Sequence, residues 1–94
     1  MENTIRVYGK RWFDRHYGNT YHSVKVYKDD DFIGEVKFEY GYGNQYEKTA
    51  MDILFDKGVY TKPKDHLSLR RLVEEANNDK LFNNVDDVTR KKDL

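Results

Sequence analysis

Cysteine is absent from the sequence, and proline occurs once, as Pro63. The lack of cysteine excludes disulfide bonds and thiolate zinc sites. There is no run of 18 apolar residues, so an ordinary transmembrane helix is not expected, and the N-terminus lacks the charged-then-apolar pattern of a signal peptide. These absences favour a cytosolic protein that makes no membrane contact and is held together by a packed core.

The charges are balanced in number but unevenly distributed. The chain has 17 basic and 17 acidic residues, and 15% of its residues are aromatic. The aromatic content favours a folded domain, because disordered chains are poor in aromatic side chains. Residues 1–28 contain six basic and two acidic residues, and residues 29–56 contain two basic and eight acidic residues. Residues 57–94 contain nine basic and seven acidic residues. The two opposite blocks could attract each other within the fold, or each could steer a partner.

Three strands are predicted in the first half of the chain. Residues 5–8 alternate between apolar and polar side chains, and the pattern extends through a glycine toward residues 12–13. Residues 21–28 and 32–40 are rich in aromatic and β-branched side chains and are separated by three aspartates, residues 29–31. This arrangement predicts a β-hairpin.

The hairpin register follows from placing the three aspartates in the loop. Opposite charges then face each other across the pair, which favours this alignment. The predicted pairs are Val24 with Val36, Lys25 with Glu35, Val26 with Gly34, His22 with Phe38, Tyr27 with Ile33, and Lys28 with Phe32.

Helices are predicted in the second half of the chain. Asn44 and Glu47 form the pattern of a capping box, and Gly58 can close the helix that they begin. Its buried stripe consists of Tyr46, Ala50, Ile53 and Leu54. Asp65 or Ser68 can cap a second helix, with Leu69, Leu72, Val73 and Ala76 as its buried stripe. A third, short helix is predicted over residues 85–91, with Asn84 as its cap. Residues 85–94 could instead form a frayed end.

This order of elements predicts a single α+β domain over residues 1–94. Its sheet is a three-stranded antiparallel meander with two or three C-terminal helices packed on one face. The other face of such a sheet is open to water.

The open face of the predicted sheet is the candidate binding site. By alternation it carries Arg6, Tyr8, Tyr21, Lys25 and Tyr27, followed by Ile33, Glu35, Lys37 and Glu39 of the third strand. Tyrosine and arginine are enriched in protein-binding hot spots, although tyrosines also strengthen exposed sheets. Loop residues extend the candidate site, so that the predicted contacts with a partner are Arg6, Tyr8, Arg11, Trp12, Arg15, Tyr17, Tyr21, Lys25, Tyr27 and Tyr42.

Other chemistry has less support in the sequence. The aromatic and basic run from Lys10 to Arg15 could bind nucleic acid through phosphate contacts and base stacking, although the net charge is zero. The three histidines are widely spaced, and no catalytic, cofactor or metal-binding motif is evident. A non-enzymatic protein without a cofactor is therefore expected.

Two runs carry a resemblance. They are Arg-Trp-Phe-Asp-Arg-His-Tyr-Gly-Asn-Thr-Tyr-His-Ser-Val at residues 11–24 and Tyr-Gly-Tyr-Gly-Asn-Gln-Tyr at residues 40–46. Together they resemble small uncharacterised proteins encoded by bacteriophages and related mobile elements, over residues 5–55. The resemblance implies no catalytic residues. It implies a phage accessory protein that binds and inhibits or modulates a host protein or nucleoprotein complex in the host cytosol, as anti-CRISPR proteins do.

Alternatives to this function remain open. The acidic block of residues 29–56 offers a second route to a partner, because its carboxylates could engage the basic channel of a host nuclease. The runner-up function is a small nucleic-acid-binding module that uses Lys10 to Arg15. A third is a virion or self-assembling structural protein, and the oligomeric state is not determined by the sequence.

Overall fold

Residues 3–94 are described by a computed structural model. The strands are β1 (Thr4–Asp14), β2 (Asn19–Lys28), β3 (Asp31–Tyr40) and β4 (Lys80–Val88), and α1 is the helix Gln45–Asp56. A six-residue π-helical segment spans Arg71–Ala76, and a 3-10 turn spans Lys91–Asp93. The strands form one sheet in the order β3-β2-β1-β4. The β1–β2 and β2–β3 pairs are antiparallel, whereas β4 lies parallel to β1.

The prediction of a three-stranded antiparallel sheet with two or three C-terminal helices is wrong. Residues 85–88, which were expected to begin a third helix, belong to β4. Leu81 and Val85 are four residues apart, and this spacing fits one face of a helix as well as one face of a strand. Both side chains pack against the core from the edge of the sheet.

The predicted second helix is replaced by the short π-helical segment. The hydroxyl Oγ of Ser68 accepts a hydrogen bond of 3.2 Å from the Arg71 N–H at the start of this segment. Leu69, Leu72 and Val73 are buried, but Ala76 is exposed. The chain then turns through Asn78, which has a left-handed φ of 57°, and enters β4. None of the helices within residues 3–94 has the length and apolarity needed to cross a bilayer.

The core lies between α1 and the inner face of the sheet. Strands β1 and β2 and helix α1 contribute most of it, and the segment after α1 completes it. Its buried members are Ile5, Val7, Val24, Val26, Tyr46, Ala50, Met51, Ile53, Leu54, Tyr60, Leu69, Leu72 and Val73. The ring of Tyr46 lies directly over Gly9, where an added Cβ would be 2.7 Å from a ring carbon. Gly9 therefore lets the helix approach the sheet closely.

The centre of the predicted hairpin register is confirmed, but its ends are wrong. Val24 pairs with Val36, Lys25 with Glu35, and Val26 with Gly34, as predicted; His22 pairs with Glu39, Tyr27 with Phe32, and Lys28 with Asp31. The difference arises because β3 has two bulges. One lies between the residues that pair with His22 and Val24, and the other between the residues that pair with Val26 and Tyr27. Each bulge adds one residue to β3 and reverses the facing of the residues beyond it.

The corner between β3 and α1 is joined to the sheet by a buried histidine. His22 is 1% exposed. Its Nδ1 lies 3.2 Å from the Gly41 carbonyl oxygen, and its Nε2 lies 2.8 Å from the Thr49 hydroxyl. Asn44 precedes α1 without a side-chain capping bond, so the predicted capping box is not formed, while Gly58 closes the helix with a φ of 73°.

Candidate protein-binding face of the sheet

The sheet has one face that α1 leaves uncovered, and we call it the open face. Side chains of neighbouring residues alternate between the two faces of a strand. Because Ile5 and Val7 point into the core, Arg6 and Tyr8 of β1 point to the open face. All four strands contribute aromatic residues to this face, and the rings form two groups.

The Tyr27 cluster consists of one aromatic residue from each strand: Phe32, Tyr27, Tyr8 and Phe82. The ring centroids of Tyr8 and Tyr27 are 5.8 Å apart, and those of Tyr27 and Phe32 are 5.4 Å apart, both with edge-to-face geometry. Tyr8 and Phe82 are also 5.8 Å apart. The guanidinium of Arg6 lies 5.9 Å from the Phe82 ring centroid. The cluster is thus a continuous aromatic row across the sheet.

The Tyr21 cluster consists of Trp12, Tyr21, Phe38 and Tyr40. Tyr21 stacks on Phe38 with a centroid distance of 4.5 Å and on Trp12 with a distance of 5.9 Å. Tyr40 meets the edge of Tyr21 at 5.7 Å. Rings held by neighbouring rings have few conformations to lose, so a partner that packs on them pays little conformational entropy.

The rings on the open face remain accessible to a partner. Five of them are exposed large apolar residues: Tyr8 at 38%, Phe38 at 44%, Phe82 at 47%, Phe32 at 54% and Tyr40 at 56%. A contiguous exposed aromatic patch is typical of an interaction surface in a small protein.

The charges of the open face alternate in sign. Lys25 lies opposite Glu35 in the register, and Lys10 lies opposite Asp86. A shallow depression of about 620 Å³ beside the Tyr27 cluster is lined by basic and acidic residues together, namely Arg6, Lys10, Lys25, Asp29 and Asp30, and by Tyr8 and Tyr27. The face therefore has no single sign of charge.

Six of the predicted contact residues lie together on the open face: Arg6, Tyr8, Trp12, Tyr21, Lys25 and Tyr27. Of the residues expected there from β3, Glu35 faces Lys25, but Ile33 packs against the core and Glu39 lies opposite His22. The bulges place Phe32, Phe38 and Tyr40 on the open face instead, and the sequence pattern gave no sign of this. Phe82 was missed because its segment was not recognised as a strand.

The other four predicted contact residues lie elsewhere. Tyr17 and Arg15 are in the exposed turn between β1 and β2, and Tyr42 is exposed at the corner before α1. Arg11 points to the helix side, where its Nε donates a 2.8 Å hydrogen bond to Asp87 and its Nη1 donates one of 3.1 Å to the Gly43 carbonyl. The run from Lys10 to Arg15 is thus divided between two faces and a turn.

Several polar groups outside the open face have structural partners. The Tyr60 hydroxyl donates a 2.5 Å hydrogen bond to Asp79, and burial together with this carboxylate raises the pKa of Tyr60. Burial also raises the pKa of Tyr46, whose hydroxyl donates to Asn83, and the pKa of the Glu47 carboxyl. Residues 3–94 contain no group of three His, Asp or Glu side chains that could hold a metal ion.

Comparison of the chain with protein-family models, curated proteins and solved structures gives no match. The function is therefore inferred from the residues of the chain and their arrangement. Of the eight large apolar residues that are exposed within residues 3–94, five lie on the open face.

Proposed function

We propose that this protein is a non-enzymatic binding protein whose open face packs against the surface of another protein. The observation that carries the proposal is the pair of aromatic clusters on the face that α1 leaves uncovered. Aromatic rings and arginine dominate the energetics of protein interfaces, because they bury a large area with few rotatable bonds.

The pattern of charge favours a protein partner over a nucleic acid. Nucleic-acid binding draws its affinity from cations that neutralise phosphates, and it favours a surface of one sign. On the open face, Lys10 and Lys25 have Asp86 and Glu35 opposite them. A surface of mixed charge around aromatic rings is better suited to the polar rim and apolar centre of a protein interface.

The resemblance of residues 5–55 to small phage-encoded proteins gives the proposal a biological context. We propose a host protein, alone or within a nucleoprotein complex, as the partner and the host cytosol as the setting. The effect of binding would be to block or modulate the partner by occupying its surface. The acidic residues 29–56 would add charge complementarity if the partner is basic.

Capture from a host lysate with matched variants tests this proposal. Tyr21→Ala and Tyr27→Ala each remove one ring from the centre of a cluster. Phe13→Ala is the control, since Phe13 is 54% exposed and follows Trp12 on the opposite face of β1. We expect one or more host proteins to be retained by the wild-type chain and by Phe13→Ala and lost from the two tyrosine variants. Equal retention by all four folded proteins would contradict the proposal.

Stacked rings can also hold unpaired bases, so the nucleic-acid function is tested in parallel. The probe is a fluorescent single-stranded oligonucleotide titrated at low and at physiological salt. Binding that weakens steeply with salt and is lost in Tyr21→Ala would favour that alternative. Sedimentation of the chain alone tests self-assembly through the same face.

A further inference from the structure

A basic segment of the chain itself lies against the open face. After Val88, which pairs with Trp12 at the end of β4, the chain continues into the 3-10 turn Lys91–Asp93. The Nζ of Lys91 lies 4.9 Å from the centroid of the Phe38 ring. Phe38 belongs to β3, at the opposite edge of the sheet from β4.

The path of this segment follows from the strand order. Three strand spacings separate β4 from β3, or about 14 Å. Three extended residues reach about 10 Å, and the lysine side chain adds to this reach, so the ammonium of Lys91 can arrive at β3 from the end of β4. We call residues 89–94 the strap. Asp93 and Leu94 are partly buried, and a 3.1 Å ion pair between Arg90 and Asp93 closes the turn.

The strap indicates which chemistry the Tyr21 cluster accepts. A lysine ammonium over an aromatic ring is attracted by the negative face of the π system. On strand β3, which supplies Phe38, Glu35 lies on the open face opposite Lys25, so a carboxylate shares this face with the ring. An exposed ring with a carboxylate on the same face complements a chain segment that carries positive charge.

We propose that the Tyr21 cluster is the binding site for an extended basic peptide segment of the partner, with a Lys or Arg side chain over Phe38. The strap occupies this site within the molecule and competes with the partner. This inference rests on the proposed function, because it names the chemistry of the segment that the open face binds. A partner that carries such a segment gains access by displacing the strap.

The contact of Lys91 with Phe38 is weak enough to be displaced. A cation–π contact at an exposed site contributes about 0.5–1 kcal/mol, which corresponds to a factor of about 2–5 in an equilibrium constant. A competing segment within the molecule lowers the apparent affinity of an external ligand by the fraction of molecules in which the site is free. Weakening the strap should therefore raise the affinity for an external basic peptide.

The test uses the full chain and a synthetic hexapeptide, acetyl-Thr-Arg-Lys-Lys-Asp-Leu, which has the sequence of residues 89–94. Trp12 is the only tryptophan of the chain and stacks within the Tyr21 cluster, so its fluorescence reports binding. We expect Lys91→Ala to bind the peptide about 2–5-fold more tightly than the wild-type chain does. Lys92→Ala is the matched control, with the same loss of charge one residue away, and should bind as the wild-type chain does. A peptide with Glu at its third position should bind more weakly to every variant.

Two results would overturn this inference. One is equal peptide affinity of Lys91→Ala and Lys92→Ala, and the other is the absence of saturable binding to any variant. An independent measurement is the NMR shift of the Lys91 ε-methylene protons, which the Phe38 ring current should move upfield and Phe38→Leu should restore. If the peptide does not bind, but retention of the host protein still requires Tyr21 and Tyr27, the proposed function stands and the basic-peptide site does not.

Discussion

Gly9 shows how one residue sets the spacing between the helix and the sheet. The Tyr46 ring occupies the space that a Cβ at position 9 would fill, at 2.7 Å from the nearest ring carbon. Tyr46 is buried and its hydroxyl donates a 3.1 Å hydrogen bond to Asn83, so the ring has little freedom to move. We expect Gly9→Ala to lower the free energy of unfolding by about 1–3 kcal/mol in urea denaturation.

A second variant separates this steric effect from other effects of alanine at position 9. In a Tyr46→Leu background the ring is absent, and Gly9→Ala should lower the free energy of unfolding by less than it does in the wild-type chain. The same loss in both backgrounds would show that the Tyr46 ring is not the obstacle.

Glu47 gives the protein a dependence of stability on pH. Burial raises the pKa of its carboxyl, so the folded state retains the proton in a pH range where the unfolded state has released it. The contribution of this group to the free energy of unfolding therefore falls as the pH rises through that range, just above the ordinary carboxyl pKa of about 4.3. We expect the melting temperature of Glu47→Gln, measured relative to that of the wild-type chain, to increase as the pH is raised from roughly 3 to 7. A difference that does not change with pH would contradict this assignment.

At the scale of elements, β4 is the part of the fold that differs most from expectation. If residues 80–88 form a strand on the core, Val85→Ala should lower the free energy of unfolding by roughly 1–2 kcal/mol, because a partly buried side chain loses two methyl groups. Asn84 is exposed on the other face of the same strand, and Asn84→Ala should change it by less than about 0.5 kcal/mol. Equally small changes in the free energy of unfolding for both variants would show that β4 does not pack on the core.

The elements that the sequence predicted well are those in which local pattern and tertiary packing agree. The centre of the hairpin, with Val24 opposite Val36, follows from the position of the turn and the alternation of the two strands, and the buried stripe of α1 follows from helical periodicity. The two bulges of β3 were not predictable, because alternation contains no signal for an inserted residue. The parallel pairing of β4 with β1 joins segments more than seventy residues apart, and such pairing leaves no trace in local periodicity.

The same errors affected the candidate site. Tyr8, Trp12, Tyr21 and Tyr27 were identified because β1 and β2 alternate without interruption on the open face. Phe32, Phe38 and Tyr40 were missing from the predicted open face, because each lies beyond a bulge. Of the eight aromatic residues in the two clusters, four were therefore predicted from the sequence.

At the scale of the whole molecule, the protein is a thin, two-layered body of 46 × 29 × 18 Å. One helix and the segments after it cover the inner face of the sheet, and the outer face bears eight aromatic residues with charges of both signs. The strap lies over one end of this face, while the Tyr27 cluster has no such cover within residues 3–94. We expect a partner to contact the Tyr27 cluster first and to reach the Tyr21 cluster as the strap is displaced.

We expect the binding energy for the partner to reside in the open face. The Kd of the captured partner for the wild-type chain, Tyr8→Ala and Phe13→Ala measures this. Tyr8 contacts both Tyr27 and Phe82, whereas Phe13 is a more exposed ring on the other side of β1. We predict that Tyr8→Ala weakens binding about 30-fold or more, as expected of a hot-spot residue, and that Phe13→Ala changes it less than about twofold. Equal effects of the two variants, or a larger effect of Phe13→Ala, would contradict the account.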